Sequence, residues 1–364
     1  MEEEGLRILI FNWRDVTHPQ AGGAERYVHE IGKRLAKKHE VTLFCGRYPG
    51  APKREEIEGI EVVRGGGKYT TYVHAATTYL VKFRGDYDIV VDSINGVPFF
   101  TPVYTRKPVV AVVHHVVGWR IFRRELPFPL AVLGYLAERS VPRLYRNRAF
   151  VTVSKSSKEE LLKFGIDERI VTVIPNGVDL KPTTGKKSNR PSIVYLGRIK
   201  RYKRVDHVLR AFGIVKRNVP DAELIVAGRG DYRDLLKLAN DLGIEVRFLG
   251  EVDEATKRDV LSKAWVYVIA STKEGWGISV IEANACGTPA IAYDVPGLRD
   301  SVRHGFNGLL VEDGNVKALA DAIVKVLEDE GLRGRLSRNA IRWAKRFSWD
   351  RSAEKFERLI KSLV

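Results

Sequence analysis

Short apolar runs alternate along the chain with longer stretches whose apolar positions recur every three to four residues. In the first half the runs are Leu6–Phe11, Val41–Cys45, Ile89–Asp92, Val109–Val113, Phe150–Val153 and Val171–Ile174, and the periodic stretches are Ala24–Lys38 and Ser156–Phe164. The runs predict strands and the stretches predict covering helices, the signature of a parallel sheet. Within Ala24–Lys38, Tyr27, Ile31 and Leu35 fall at i, i+4 and i+8 with Lys and Arg between them, giving one apolar stripe with a solvated back.

Lys181-Pro-Thr-Thr-Gly-Lys-Lys-Ser-Asn-Arg190 interrupts the periodicity and reads as an interdomain linker. The alternation then restarts with strands at Ser192–Leu196, Ala222–Ala227, Val246–Leu249, Val266–Ala270, Ala290–Tyr293 and Gly308–Val311. Helical patterns stand between them at Val205–Lys216, Tyr232–Asp241, Ala255–Ala264 and Ile278–Cys286, and others close the chain at Val316–Glu328, Leu332–Arg346 and Ala353–Leu363. The expected fold class is α/β, two doubly wound domains in series. Their expected bounds are 1–180 and 191–346, joined by the linker 181–190 and followed by a last segment, 347–364. No internal repeat or low-complexity tract is evident.

A length of 364 residues and 44% hydrophobic content suit two domains with sizeable cores. The charge balance, 61 Lys+Arg against 45 Asp+Glu, is a formal +16 and makes an anionic partner worth seeking. One methionine, one glutamine (Gln20) and many Lys, Arg and Glu resemble a heat-adapted composition, a bland source of the same charge. Cys45 and Cys286, the only cysteines, exclude a disulfide framework and a four-cysteine metal site and suit a reducing compartment. The acidic start runs straight into Leu6–Phe11, with no basic n-region and no 18-residue apolar span, so a cytosolic, soluble protein is expected.

Three weak motifs are better explained without chemistry. Asp86-Tyr-Asp88 precedes the strand at Ile89, where turn propensity accounts for both aspartates. Gly65-Gly-Gly-Lys68 lacks the upstream glycine of a phosphate-binding loop and reads as a flexible connection. His114-His115 has no third metal ligand at close spacing, so no metal site is expected.

Three others carry more. Ala21-Gly-Gly-Ala-Glu25 stands between the first strand and its helix, where Gly22 and Gly23 leave N–H groups open to an anion or a sugar; such glycines also serve helix–sheet packing. Gly197-Arg198 ends a strand with Lys203 five residues on, so two cations can converge on a diphosphate, or simply be solvated. In Glu274-Gly-Trp-Gly-Ile-Ser-Val-Ile-Glu282 a glycine-bearing turn follows a strand and opens a helix. One carboxylate sits in the turn and one in the helix, both suited to accept hydrogen bonds from sugar hydroxyls while the N–H groups between hold phosphate.

In order along nearly the whole chain, Ala21-Gly-Gly-Ala-Glu25, Val113-His-His115, Pro175-Asn-Gly-Val-Asp179, Gly197-Arg198 with Lys203, the Glu274/Glu282 spacing, His304-Gly-Phe-Asn-Gly308 and Phe347-Ser-Trp-Asp350 resemble the retaining glycosyltransferases called family 4, of GT-B fold. The resemblance implies two Rossmann-like domains facing a cleft, with the last segment a helix crossing back to the first domain. It implies that Arg198 and Lys203 clamp the donor diphosphate, that Glu282 holds the ribose, and that Glu274 with the backbone of Gly275, Trp276, Gly277 and Ile278 orients the transferred sugar. Gly22 and Gly23 would approach the diphosphate or acceptor, the backbone of Leu249, Gly250 and Glu251 would receive the base, and His114 would touch the reacting sugar. His115 stands where relatives often carry aspartate, which leaves open which histidine faces the sugar.

The implied activity is metal-independent transfer of a hexose-type sugar from a UDP- or GDP-sugar to a hydroxyl of a glycan or lipid-linked acceptor, with no cofactor. Alternatives on the same scaffold are a nucleotide-sugar epimerase or a sugar phosphorylase. A non-enzymatic alternative is an anionic-surface binder, although no nucleic-acid motif is present. Residues 119–148 bear on that alternative. Trp119-Arg-Ile-Phe-Arg-Arg124, Pro127-Phe-Pro129 and Leu130–Arg148 mix apolar groups with seven arginines against Glu125 and Glu138. They read either as a peripheral contact for an anionic membrane, at its cytoplasmic face, or as core-facing side chains with a solvated arginine face.

Overall fold

The computed structural model describes residues 5–179 and 185–364. It divides into two units, Met1–Asn176 with Trp349–Val364, and Gly177–Ser348.

The first unit carries β1 (Arg7–Phe11), β2 (Glu40–Cys45), β3 (Arg54–Ile57), β4 (Ile60–Arg64), β5 (Ile89–Ile94), β6 (Val109–Val113), β7 (Ala149–Thr152) and β8 (Val171–Val173). They lie in the order β3-β4-β2-β1-β5-β6-β7-β8, parallel except for the β3–β4 hairpin. That hairpin was not legible as a pair of apolar runs, because Arg54-Glu-Glu-Ile57 is charged. Its signal is Glu58-Gly59, both at positive φ, the two-residue turn that matches strand twist. Gly65-Gly-Gly-Lys68, which reads as a flexible connection, is a hydrogen-bonded turn: Gly65 N–H donates to Cys45 O and Gly67 N–H to Thr70 Oγ1.

Phe11, Phe44 and Phe99 pack on one face of the sheet with Tyr79 and Phe83. Within that layer Asp92 is fully buried and accepts hydrogen bonds from Phe99 N–H, the Thr101 hydroxyl and Tyr145. The stripe predicted for the first helix is buried, with Tyr27, Ile31 and Leu35 inside Gly23–Leu35. The last helix, Trp349–Lys361, packs against that helix and buries Trp349, Phe356 and Ile360, each contributing about 1.5–3 kcal/mol of apolar burial. Ser352 Oγ donates to Pro175 O, and Arg34 Nε binds Asp350 at 2.6 Å.

The second unit carries β9 (Ser192–Leu196), β10 (Glu223–Ala227), β11 (Val246–Gly250), β12 (Val266–Ile269), β13 (Ala290–Tyr293) and β14 (Gly308–Val311), all parallel, in the order β11-β10-β9-β12-β13-β14. The winding reverses between β9 and β12, as in other doubly wound sheets. The helix expected from Leu332 begins at Glu330 because Asp329 caps it, accepting from Leu332 N–H at 2.8 Å. Of the expected linker, residues 181–184 lie outside the described residues. Ser188 N–H donates to Lys263 O, and Lys187 Nζ donates to Thr288 Oγ1 at 2.7 Å, with burial pushing its ammonium down to about 8.

One ion pair ties the loop after β1 to the end of β4. Asp15 and Arg64 meet at 2.7 Å with both side chains buried, and Thr17 bonds Asp15 Oδ1. Burial pushes the Asp15 carboxyl up, but the bonds from Arg64 and Thr17 outweigh it and hold the group below its usual range. Arg64→Leu strands that carboxylate and should cost about 3–5 kcal/mol. The Asp15→Asn/Arg64→Leu double variant should cost less than Arg64→Leu alone. Guanidinium chloride denaturation of the three proteins checks both statements.

Candidate active site

The carboxyl ends of β9 and β12 face the point where the winding reverses, and the loops that leave them carry the charged motifs. After β9 come Gly197 and Arg198, then a single 3-10 turn at Arg201–Lys203. After β12 comes the loop 270–277, which opens the helix Ile278–Ala285 from Gly277 at φ +83°. Thr272 N–H donates to Tyr202 O, which ties the two loops together.

Their side chains meet. Lys203 Nζ lies 2.5 Å from Glu274 Oε1, with only 12% and 14% of the two side chains exposed. Burial opposes a charged ammonium here, but the carboxylate of Glu274 outweighs it and raises the Lys203 pKa above its usual value. Lys203 therefore stays cationic at neutral pH. Arg198 Nη2 reaches only the Tyr202 hydroxyl, at 3.4 Å, and has no carboxylate partner among the described residues. Gly297 makes the turn possible: at φ +82° it passes so close to Glu274 that a Cβ would stand 2.1 Å from the Glu274 carbonyl oxygen. Pro296 O accepts from Glu274 N–H.

Glu282 is buried in the helix and binds Lys257 Nζ at 2.8 Å. Lys257 belongs to the helix Glu254–Lys263, and no sequence motif marks it. The Tyr267 hydroxyl, which donates to Leu196 O, feels the charge of both Glu274 and Glu282; burial first, then these carboxylates, push its pKa up. The two glutamates thus serve one neighbourhood, each held by a lysine. Trp276 is buried edge-on against Phe347, and its Nε1 has no hydrogen-bond partner among the described residues; nor has the buried hydroxyl of Ser271.

Leu249, Gly250 and Glu251 stand at the end of β11, two strand spacings or about 10 Å from β9. Gly250 O accepts from Gly228 N–H at 2.6 Å, and Leu249 and Glu251 line a cavity of 520 Å³ with Val252, Asp253 and Thr256. Gly228 makes a close crossing like that of Gly297, since a Cβ there would lie 1.9 Å from Gly197 O.

In the first unit, Gly22 and Gly23 open the helix Gly23–Leu35 as expected from the strand–glycine–helix pattern. The Gly22 N–H is already engaged by Glu25 Oε2 at 2.8 Å. His114 follows β6 directly, buried and edge-on to Tyr27 at 5.2 Å. Its carbonyl accepts from Ser157 Oγ, while its Nε2 has no partner among the described residues. Burial, helped by the charge of His115, lowers its pKa to about 3, so the imidazole is neutral at physiological pH.

Two family models match the chain in succession, Glycosyltransferase Family 4 over residues 21–182 and Glycosyl transferases group 1 over 179–343. An uncharacterized glycosyltransferase of Methanocaldococcus jannaschii is 33% identical over 231 residues, 58% of this chain and 59% of that protein. Phosphatidyl-myo-inositol mannosyltransferase of Mycolicibacterium smegmatis is 25% identical over 90% of this chain and 87% of that protein. The solved structure of Anabaena HepE in complex with UDP-glucose is similar at a TM-score of 0.76 and 19% identity, over 98% of this chain and 100% of that one. With one model on each doubly wound half and the same architecture in a solved relative, the chain belongs to glycosyltransferase family 4, has the GT-B fold, and is a glycosyltransferase.

Proposed function

We propose that the chain moves a hexose-type sugar from a UDP- or GDP-sugar to a hydroxyl of a glycan or lipid-linked acceptor, with retention and without a metal ion. The observation that carries this reading is the Lys203–Glu274 pair beside Arg198 at the winding reversal of the second sheet. An incoming diphosphate finds two cations there, one held charged by its carboxylate, and the N–H groups that open the helix Ile278–Ala285. In this reading Glu274 and the 275–278 backbone orient the sugar, Glu282 takes the ribose, and the backbone at 249–251 takes the base. The neutral imidazole of His114 donates to or accepts from a sugar hydroxyl. The bond from the anomeric carbon to the diphosphate breaks, the acceptor oxygen bonds that carbon on the same face, and the acceptor proton passes to a phosphate oxygen. The UDP-glucose named for HepE supports a uridine donor.

An anionic membrane surface, at its cytoplasmic face, is proposed as the place where the acceptor is met. No helix among the described residues is long and apolar enough to cross a membrane. The helices Gly118–Glu125 and Phe128–Leu144 bury Phe122, Ala131, Gly134 and Val141. Trp119, Ile121, Phe128, Leu133 and Leu136 remain exposed, the last three by 58%, 62% and 57%, so the core-facing reading does not account for them. Glu138 is occupied inside, accepting from the Val117 and Gly118 N–H groups, while Arg120, Arg123, Arg124 and Arg139 stay at the surface. Apolar side chains among arginines suit the headgroup boundary, each cation near it gaining about 1 kcal/mol.

With a panel of UDP-, GDP- and ADP-sugars and a matched acceptor, Arg198→Ala and Lys203→Ala are each expected to lower transfer by roughly 10²-fold or more. Near-normal turnover in both would sink the donor-site assignment. Activity should persist in EDTA, and NMR of the product should show the donor's anomeric configuration. Release of free sugar phosphate or an epimerised donor would instead identify the rival activities. In vesicle sedimentation, anionic but not neutral vesicles should retain the protein at low salt, and Arg120/Arg123/Arg124→Ser should release it. Equal recovery from both lipids would remove the membrane.

A further inference from the structure

The helix Glu254–Lys263 turns Lys257 and Leu261, one helical turn apart, inward, while Glu254, Arg258 and Asp259 stay in water. Lys257 is the only buried lysine among the described residues, and it occupies a core-facing position that an amphipathic helix ordinarily gives to an apolar side chain. Its ammonium lies 2.8 Å from Glu282 Oε1 on the inner side and 2.7 Å from Glu254 Oε2 on the outer side, where the Glu254 side chain is 72% exposed. Nζ is therefore held from both sides. A buried ion pair contributes little stability beyond that of apolar residues of the same volume, so packing alone does not account for a lysine here.

The chemistry of its partner does. Glu282 is buried in the helix Ile278–Ala285, and its charge reaches the Tyr267 hydroxyl together with that of Glu274, which puts it in the neighbourhood of the Lys203–Glu274 pair. A carboxylate that receives two adjacent hydroxyls must present acceptors only, in a fixed plane. One bond from Lys257 serves both needs. A carboxylate offers about four lone-pair directions, so a single ammonium proton sets the plane of the group without filling it, and a cation at that distance favours the donor-free form.

The chain also brings Lys257 in from the side of the base. Residues 249–251, at the end of β11, run directly into Asp253, which caps the helix by accepting from Thr256 N–H at 2.7 Å, and Lys257 follows. The segment proposed to receive the base thus continues, within one capped turn, into the group that holds the Glu282 carboxylate.

We propose that Lys257 is a positioning residue for the donor's nucleoside: it holds Glu282 toward the pair of ribose hydroxyls and so sets the preference for a ribonucleotide over one that lacks them. This rests on the reading of Glu282 as the ribose ligand.

Calorimetric titration of the full chain with UDP, GDP and their 2′,3′-dideoxy analogues tests it, the readout being the ratio of ribo to dideoxy affinity for the base that binds. The unaltered chain should prefer the ribonucleotide by about tenfold or more, since hydrogen bonds to a charged group are at stake. Lys257→Met should bring the ratio to within about threefold by weakening the ribonucleotide alone, and Lys257→Arg should restore most of the preference. Because Lys257→Met leaves a buried carboxylate unpaired, Lys257→Met/Glu282→Gln is the second variant. It should show the ratio of Glu282→Gln, since a residue that acts through that carboxylate has no further effect once it is gone. A merely structural lysine would lower both affinities together; an unchanged ratio in Lys257→Met, or a double variant whose ratio departs from that of Glu282→Gln, overturns the inference. Arg198→Ala/Lys203→Ala should abolish binding of both forms. Binding of neither diphosphate by the unaltered chain, or binding indifferent to Arg198 and Lys203, overturns the donor site itself, and equal affinity of the unaltered chain for both forms takes Glu282 off the ribose. Either of these removes the reading beneath the proposal, whereas an unchanged ratio in Lys257→Met beside otherwise expected results removes Lys257 alone.

Discussion

Parallel strands run one way, and that single fact governs where chemistry can happen in both sheets. Each strand must return through a crossover, and crossovers of one hand cover one face until the winding reverses. At the reversal, neighbouring connections leave to opposite faces and no loop closes the gap between them. Every strand of the second sheet also delivers its carboxyl end to the same edge, so residues distant in sequence, such as Lys203 and Glu274, can share that gap without a special fold.

Charge inside these edges is handled pairwise. Glu274 has Lys203, Glu282 has Lys257, and Asp15 has Arg64, each with both partners largely removed from water. A buried carboxylate without a cation would protonate, and a protonated acid in the turn at 274 would lose the ability to keep a lysine charged. The pairs therefore hold the ionisation states that a polar, multiply charged substrate requires. The high density of Lys and Arg supplies the cations.

Much of this was legible in the chain itself because parallel strands buried on both faces read as unbroken apolar runs, and β1, β6, β9 and β13 lie where such runs stand. The strand Arg54–Ile57 carries no such run, because an edge strand can be charged on both faces. The helices at 118–144 were hidden differently: their exposed Phe128, Leu133 and Leu136 blur the polar side on which amphipathic periodicity depends. At the site, Glu274, Glu282, Arg198 and Lys203 stand in motifs with glycine turns, whereas Lys257 lies on an ordinary charged helix and is defined only by what it touches. Gly297 and Gly228 each carry a local turn signal, but the close backbone crossing that requires them joins segments far apart in sequence.

The last helix returns to the first unit, so the second unit is inserted within it, between Asn176 and Trp349. On the ribosome, Tyr27 and Ile31 must wait for Trp349 and Phe356 through the synthesis of all the intervening residues, roughly 15–65 s at ordinary elongation rates. During that interval the second unit can complete its own sheet, while the first presents an apolar helix face with nothing yet to cover it. The first unit is thus begun first and completed last, and its nascent form is the stage at which a chaperone, or an early stop, has the greatest effect.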